Sequence, residues 1–329
     1  MNRIRTAALA ALAAVAAIIA TAVPATAAVV GSDPPMGLMI QVSTLAPSTT
    51  PAKLKEWMVA VRKNHRDPTK PGYVNNLVLQ DIADINGKLL TPYLDAIAPF
   101  LPGGATPAFT KLSIGGAAEQ HWTGPGSKYI EGIQDPAFRE RNVSLSVSTG
   151  KAFKARYPKV RFDWYIPYEA NVAAFWDYRI ERGYLTYINA MTTRLSAVKA
   201  GSFSWSPSFW STQSQMPAWA MTNLSENLTH FFPHLRVPLT VNLQDFVGQS
   251  GGATSRGDAV AWVRYLNRWT ARTQMNAEQF GLNAAGNLIP GDSVEVSARS
   301  KFYVSQGVPL GPSFDIRFWH ARLYKGAPS

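Results

Sequence analysis

VRFDWYIPYEANVAAFWDYRIERGYLTYINAMTTRLSAVKAG, residues 160–201, is the stretch that decides the fold. Its first part, 160–169, is rich in aromatic and β-branched side chains and reads as a buried strand. That strand ends at a carboxylate, Glu169, set among aromatics. From Tyr178 the pattern turns amphipathic, and 178–201 reads as one long helix with Gly201 as its C′ residue. A short apolar run followed by a long amphipathic one is a βα unit.

The same unit recurs on both sides. GLMIQVS (37–43) reads as strand one, and 50–65 as its helix, with Thr50 at the N-cap and Pro51 at N1. Strand two falls at 74–82, followed by a Thr-Pro helix start at 91 that stops at Pro102-Gly103. Strand three falls at 109–116. A long loop then runs from Ala117 to about Gln134 and carries Glu119, His121 and Trp122; a loop of this length is often functional. Residues 136–157 read as a helix capped by Asp135. Strand five and its exit fall at 202–210, and a helix within 216–235. Strand six and its exit fall at 237–250, and a helix at 255–273 capped by Ser255 with Asp258. Strand seven is 274–280, a weaker helix 292–307 ends at Gly307, and strand eight is 313–324. Eight strands alternating with seven or eight helices predict an α/β fold, a (β/α)₈ TIM barrel in a single domain over 28–329. The rival is a doubly wound open sheet, but no Gly-x-Gly-x-x-Gly turn follows strand one.

The first 27 residues stand apart. Arg3 and Arg5 precede an unbroken apolar run from Ala7 to Ala20, and Pro24-Ala25-Thr26-Ala27 offers a small-x-small cleavage site. This reads as a secretory signal peptide, which places the mature protein outside the cell. No later stretch is long and apolar enough to span a membrane. The chain has no cysteine, which excludes disulfides, thiolate metal sites and cysteine nucleophiles. Its formal net charge is +11, two of it from Arg3 and Arg5. A basic surface suits an anionic polymer, although a general basic bias without a partner is the plainer reading. No Lys/Arg cluster is dense enough for a nucleic-acid patch.

In barrels of this kind chemistry sits where strands end and βα loops begin. Those ends carry Gln41, Ser43, Gln80, Asp81, Tyr168, Glu169, Asn171, Trp205, Ser206, Trp210, Asn242, Gln244, Asp245, Asn276, Glu278, Trp319, His320 and Tyr324. Glu169 and Glu278 are the informative pair. Glycoside hydrolysis needs one carboxyl to protonate the departing oxygen and a second to attack the anomeric carbon or activate water. Crowding also raises one carboxyl's pKa, so that it stays protonated near neutrality. Trp205 and Trp210, at a strand exit, would serve as a sugar platform. Gln41, Asp81, Tyr168, Asn171, Gln244, Asp245, His320 and Tyr324 would line the cleft and bind hydroxyls. His320 reads equally as a group orienting a carboxylate or as a hydrogen-bonded core histidine. Trp57, Trp262 and Trp269 lie inside helical patterns and read as packing. The Gly/Ser-rich 248–255 stretch lacks a Gly-Lys-Ser/Thr ending and reads as a flexible loop. His230 and His234 have i,i+4 spacing but flank Phe231, Phe232 and Pro233, which suits a packed helix end better than zinc. No Gly-x-Ser-x-Gly elbow is present.

WYIPYEAN, WSPSFW, LQDFVGQS and NAEQF, in that order, resemble an uncharacterised bacterial group of glycoside-hydrolase-like TIM barrels, related to the large clan of retaining glycosidase barrels. The resemblance runs from strand one to strand eight. It implies that Glu169, ending strand four, is the acid/base and that Glu278, ending strand seven, is the nucleophile. The clan usually has Asn before the strand-four Glu, where this chain has Tyr168. The expected protein is a secreted glycoside hydrolase acting on a polysaccharide or oligosaccharide, with an anionic glycan open and no metal or organic cofactor implied. The alternative is a secreted carbohydrate-binding barrel without turnover. A buried Arg neutralising Glu278 would favour that alternative.

Overall fold

The computed structural model describes residues 37–68, 73–117, 132–209, 211–248 and 254–323. The predicted signal peptide, Glu119, His121, Trp122, Trp210, Tyr324 and most of the Gly/Ser stretch lie outside the described residues.

Eight parallel strands form one sheet: β1 (Gly37–Gln41), β2 (Asn76–Asp81), β3 (Lys111–Ile114), β4 (Asp163–Ile166), β5 (Phe203–Trp205), β6 (Leu239–Gln244), β7 (Thr273–Asn276) and β10 (Pro312–Phe314). They pair in chain order, and β10 returns to β1 with Gly37 opposite Pro312. The ring is completed between β7 and the segment before β10. There Met275 N donates to Pro309 O at 2.8 Å and Gly311 N to Met275 O at 2.8 Å. Closure leaves no free sheet edge and makes the fold a (β/α)₈ barrel.

The helices follow as the sequence leads one to expect: α1 (Pro51–Asn64), α2 (Thr91–Ile97), α3 (Pro136–Arg156), α4 (Tyr178–Val198), α5 (Ala218–Phe231), α6 (Arg256–Leu266) and α7 (Ser293–Ser305). Five of these seven starts are set by side chains that accept otherwise unpaired first-turn N–H groups, whereas α2 and α5 begin without a side-chain cap. Thr50 accepts from Lys53 N, Asp135 from Ala137 N, and Ser255 and Asp258 form a reciprocal capping box. Gly307 follows α7 with φ +73°, as a C′ glycine does. Gly201 has no such role. α4 ends at Val198, because Lys199 is extended and its carbonyl accepts from Trp164 Nε1 at 2.8 Å.

Side chains alternate across each strand, and this sorts the interior into two clusters. Leu38, Ile40, Leu77, Leu79, Trp164, Ile166, Phe203, Trp205, Val241, Leu243 and Met275 face the helices in one continuous core. Met39, Val78 and Tyr165 fill the barrel axis, with Phe314 packed on them.

Two stretches differ from expectation. Strand seven stops at Asn276. The chain from Phe280 then makes an antiparallel hairpin, β8 (Phe280–Leu282) with β9 (Leu288–Pro290). The predicted strand 313–324 is a strand only to Phe314. Asp315 accepts from Arg317 N at 2.8 Å and starts the short α8 (Ile316–Trp319), which continues as a 3₁₀ turn through Leu323. An N-cap inside an apolar run outweighs its β-propensity.

Candidate functional site

At the C-terminal end of β4 the alternation that turns Tyr165 inward also turns Glu169 inward. Glu169 is 6% exposed. Its two oxygens are held separately: Gln80 Nε2 donates to Oε1 at 2.6 Å and Gln244 Nε2 to Oε2 at 2.7 Å. The Gln244 amide is itself fixed by Ser206 O at 2.9 Å. Below lies a polar floor, where Ser206 Oγ donates to Asn242 O at 2.7 Å and accepts from Asn276 Nδ2 at 3.2 Å. The main chain is pinned too. Tyr184 on α4 donates its hydroxyl to Glu169 O at 2.6 Å, and Ser208 N donates to Ala170 O at 2.7 Å.

Burial is the largest influence on the Glu169 carboxyl, and it favours the neutral form. The amide bonds from Gln244 and Gln80 stabilise the charged form, but they do not offset burial, and the pKa is pushed up to about 7. A carboxylic acid with this value both gives and takes a proton near neutral pH.

Two more predicted residues stand at neighbouring strand ends. Asp81 ends β2, half-buried, and accepts from Ser43 N at 2.9 Å and from the Ser43 hydroxyl. Burial pushes it up to about 6, against the Ser43 bonds, with Asp315 nearby adding to the rise. Gln41 ends β1, also half-buried, and its N–H donates to Asp315 Oδ2 at 3.2 Å.

Three predicted cleft residues lie on the far side of the sheet. Tyr168 is buried among Phe138, Tyr184 and Tyr187. Trp205 is buried against Phe175, Tyr184 and Phe231, with its Nε1 donating to Tyr168 O at 3.2 Å. It is core rather than a sugar platform. Asp245 faces α7, where Tyr303 Oη donates to Oδ2 at 2.9 Å and Arg299 Nη1 lies 3.2 Å from the same oxygen. The reason is common to all three. Each is the sequence neighbour of an inward residue (Glu169, Ser206, Gln244), so strand alternation sends it outward.

Asn171 has a local task, capping the 3₁₀ helix 172–176 by accepting from Ala173 N at 3.0 Å. His320 is away from the barrel mouth. Its ring stacks on Trp57 of α1 at 5.2 Å, and Nδ1 donates to Arg317 O at 2.6 Å, so of the two roles open to it the packed, hydrogen-bonded one holds. His230 and His234 stack at 4.1 Å, with His230 Nδ1 2.9 Å from the buried Glu181 carboxyl. Among the described residues no three His, Asp or Glu side chains group as a metal site.

Glu278 follows β7 and is 1% exposed. Its carboxyl lies beneath the turn after β6, where a Cβ added to Gly248 would meet Oε2 at 3.3 Å. The Glu278 main chain is tied behind the sheet: its N–H donates to Asp245 Oδ1 at 3.3 Å and its carbonyl accepts from Arg299 Nη2 at 2.6 Å. The buried arginine thus grips the Glu278 peptide and pairs its charge with Asp245. Burial pushes Asp245 up, opposed first by the Arg299 charge and then by the Tyr303 hydroxyl.

Sequence reasoning placed Gln80 at a strand end without giving it a role, and it missed Arg299 and Tyr303. The i,i+2 spacing from Val78 inside β2 was the available signal for Gln80. Arg299 reads in sequence as an ordinary helical cation.

With this geometry in hand, comparison with solved structures is informative about architecture. A candidate alpha-L-fucosidase from Bacteroides thetaiotaomicron VPI-5482 superposes with a TM-score of 0.58 over 94% of this chain and 96% of its own, at 12% identity. The likeness shows the fold. Weaker similarities link the chain to a β-glucosidase from Thermotoga maritima in complex with cyclophellitol (TM-score 0.43, 11% identity, 88% of this chain and 89% of that one). They also link it to the chitinase-like agglutinin RobpsCRA from Robinia pseudoacacia (TM-score 0.38, 11% identity, 75% of this chain and 70% of that one). No family model and no curated protein matches the sequence.

Proposed function

We propose that this protein is a secreted glycoside hydrolase that cleaves a polysaccharide or oligosaccharide, with Glu169 as the general acid/base. The observation that carries the reading is the state of Glu169: buried at the barrel mouth, pushed up to about 7, and held on both oxygens by neutral amides. A protonated Glu169 delivers its proton to the glycosidic oxygen, and the Gln80 and Gln244 N–H groups then receive the carboxylate that is left. Gln41 and Asp81 stand at adjacent strand ends, where they would meet sugar hydroxyls. Glu278 is the second carboxyl of the reading, as nucleophile or as the base for water. The shared fold of a candidate alpha-L-fucosidase supports a sugar substrate, and the N-terminal signal pattern supports export. The reading invokes no metal or organic cofactor.

One observation favours a carbohydrate-binding barrel without turnover. Glu278 is almost fully covered, with its peptide held by the buried Arg299. One experiment separates the readings: sugar release from a panel of neutral and anionic polysaccharides by wild type, Glu169→Gln and Glu278→Gln. Turnover that collapses in both variants supports the hydrolase. Turnover that survives Glu278→Gln removes Glu278 from the chemistry. Binding in all three proteins with no turnover in any leaves the binding barrel.

A further inference from the structure

Near the site, most aromatic rings are buried. Phe175, Tyr184, Trp205 and Phe231 pack against one another in tilted and edge-to-face contacts. Two indoles beside them are not buried. Trp176 is 38% exposed and Trp219 50%, and their rings meet edge to face, 5.3 Å apart at 87°. Tyr178, two residues on from Trp176, is 63% exposed.

Topology puts this pair on the functional face. Trp176 ends the 3₁₀ helix that leads from Glu169 to α4. Trp219 lies in the first turn of α5, at the end of the segment leaving β5. Both segments therefore run from a strand's C-terminal end to a helix start, on the face of the barrel that carries Glu169. The two are fastened together, because Asn227 Nδ2 on α5 donates to Phe175 O at 2.7 Å and to Trp176 O at 3.3 Å. Closer to the axis the same two connections are joined by Ser208, whose N–H donates to Ala170 O and whose carbonyl accepts from Val172 N. The two connections that carry the indoles are thus joined at two places.

We propose that Trp176 and Trp219 form an aromatic subsite for a pyranose ring of a glycan chain, remote from the bond cleaved at Glu169. This rests on the reading of Glu169 as a glycosidase acid/base, and it deepens that reading by making the substrate a chain of several sugars rather than a monoglycoside. The chemistry is that of an amphipathic partner. A pyranose has an apolar CH face that an indole covers, and a rim of hydroxyls that stays in water. An edge-to-face pair offers two ring surfaces at a right angle, a corner that receives one sugar face and borders the next. The charges that follow Trp176 in the chain are paired with each other, since Arg179 Nη2 binds Asp177 Oδ2 at 2.6 Å. A neutral ring is the occupant that needs nothing more from this corner than it offers.

The test compares wild type, Glu169→Gln, Trp176→Ala/Trp219→Ala and Trp176→Phe/Trp219→Phe. Each is run in native gels containing soluble β-glucan, xylan, galactan or pectin. Kinetics are measured on whichever polymer is cleaved and on the shortest fragment still cleaved. The double alanine variant is expected to bind polymer about tenfold more weakly, equivalent to ~1.4 kcal/mol. It should raise KM for the polymer by the same factor and leave the shortest fragment within about twofold. The phenylalanine variant should recover part of the retardation, and Glu169→Gln should keep all of it. Retardation that depends on the indoles, with no sugar release by wild type, sinks the hydrolase reading and leaves the subsite standing. Wild type retarded by no polymer, or retarded equally with and without the indoles, overturns the subsite. Equal kinetic losses on polymer and shortest fragment also overturn it. So does a wild-type dimer that the alanine changes dissociate without affecting polymer retardation, since the pair would then join two copies of this chain.

Discussion

Gln244 and Asp245 are adjacent in the chain and belong to two buried acid clusters; burial pushes both acids up, but they are held by different kinds of partner. Gln244 faces the barrel axis and binds Glu169 through a neutral amide. Asp245 faces α7 and is met by the guanidinium of Arg299 and the hydroxyl of Tyr303. Inside, among the described residues, the hydrogen bonds to the Glu169 carboxyl come from neutral amides, so burial prevails and the proton stays available near neutral pH. Outside, a cation is buried beside the acid and opposes the effect of burial. Neutral donors position an acid without removing its chemistry, whereas a buried cation turns an acid into a fastening. A barrel wall one residue thick holds both.

Breaking the outer cluster should have the largest effect. Arg299→Met leaves Asp245 buried without its cation and frees the Glu278 carbonyl. It should cost roughly 3–5 kcal/mol of stability, read by denaturant or thermal unfolding. A loss below about 1 kcal/mol would show that Asp245 takes up a proton at little expense and that the two clusters are less different than their geometry. Glu169→Gln tests the inner cluster through activity. Sugar release should drop by about 10²–10⁴-fold, with the folded state retained. A drop that tracks a loss of folded protein would place Glu169 among structural residues.

Tyr303→Phe removes one bond to Asp245 and should cost about 1.5–3 kcal/mol in unfolding experiments, with sugar release by the remaining folded protein unchanged. A change in kcat would mean that the outer cluster feeds into the chemistry through Glu278.

The finest comparison is in pH. Because the folded-state pKa of Glu169 lies above its ordinary 4.5, at about 7, the fold binds that proton more tightly than the unfolded chain does. Its contribution is therefore fully present below pH 4.5 and is lost as pH rises through about 7. Wild-type stability relative to Glu169→Gln should fall across that window, and sugar release should fall on the same alkaline limb. Gln244→Met removes a donor that favours the charged form, so the limb should move to higher pH. A limb that stays in place would assign it to another group, of which Asp81 is the first to test.

The barrel was legible because βα alternation, Thr50, Asp135 and the Ser255–Asp258 box are all local signals. Glu169 was legible as the last inward position of an aromatic strand. Its neighbours were read less well. Tyr168, Trp205 and Asp245 sit at strand ends as expected, yet alternation turns each away from the mouth. A register error of one residue exchanges the two faces of a strand. The helical turn after Asp315 replaced most of a predicted strand, and with it the expected place of His320.

The sequence by itself determined the order of strands and helices, several of the capped helix starts and the position of an acid at the end of β4, because each depends on residues only a few positions apart. Tertiary structure alone decided what that acid became. Gln80 lies 89 positions from Glu169 and Gln244 75, and closing the ring brings both amides onto one carboxyl. Arg299 lies 54 positions from Asp245, and only the packing of α7 against the sheet makes it a buried cation. Charge state follows from burial and partners, and both are properties of the closed barrel.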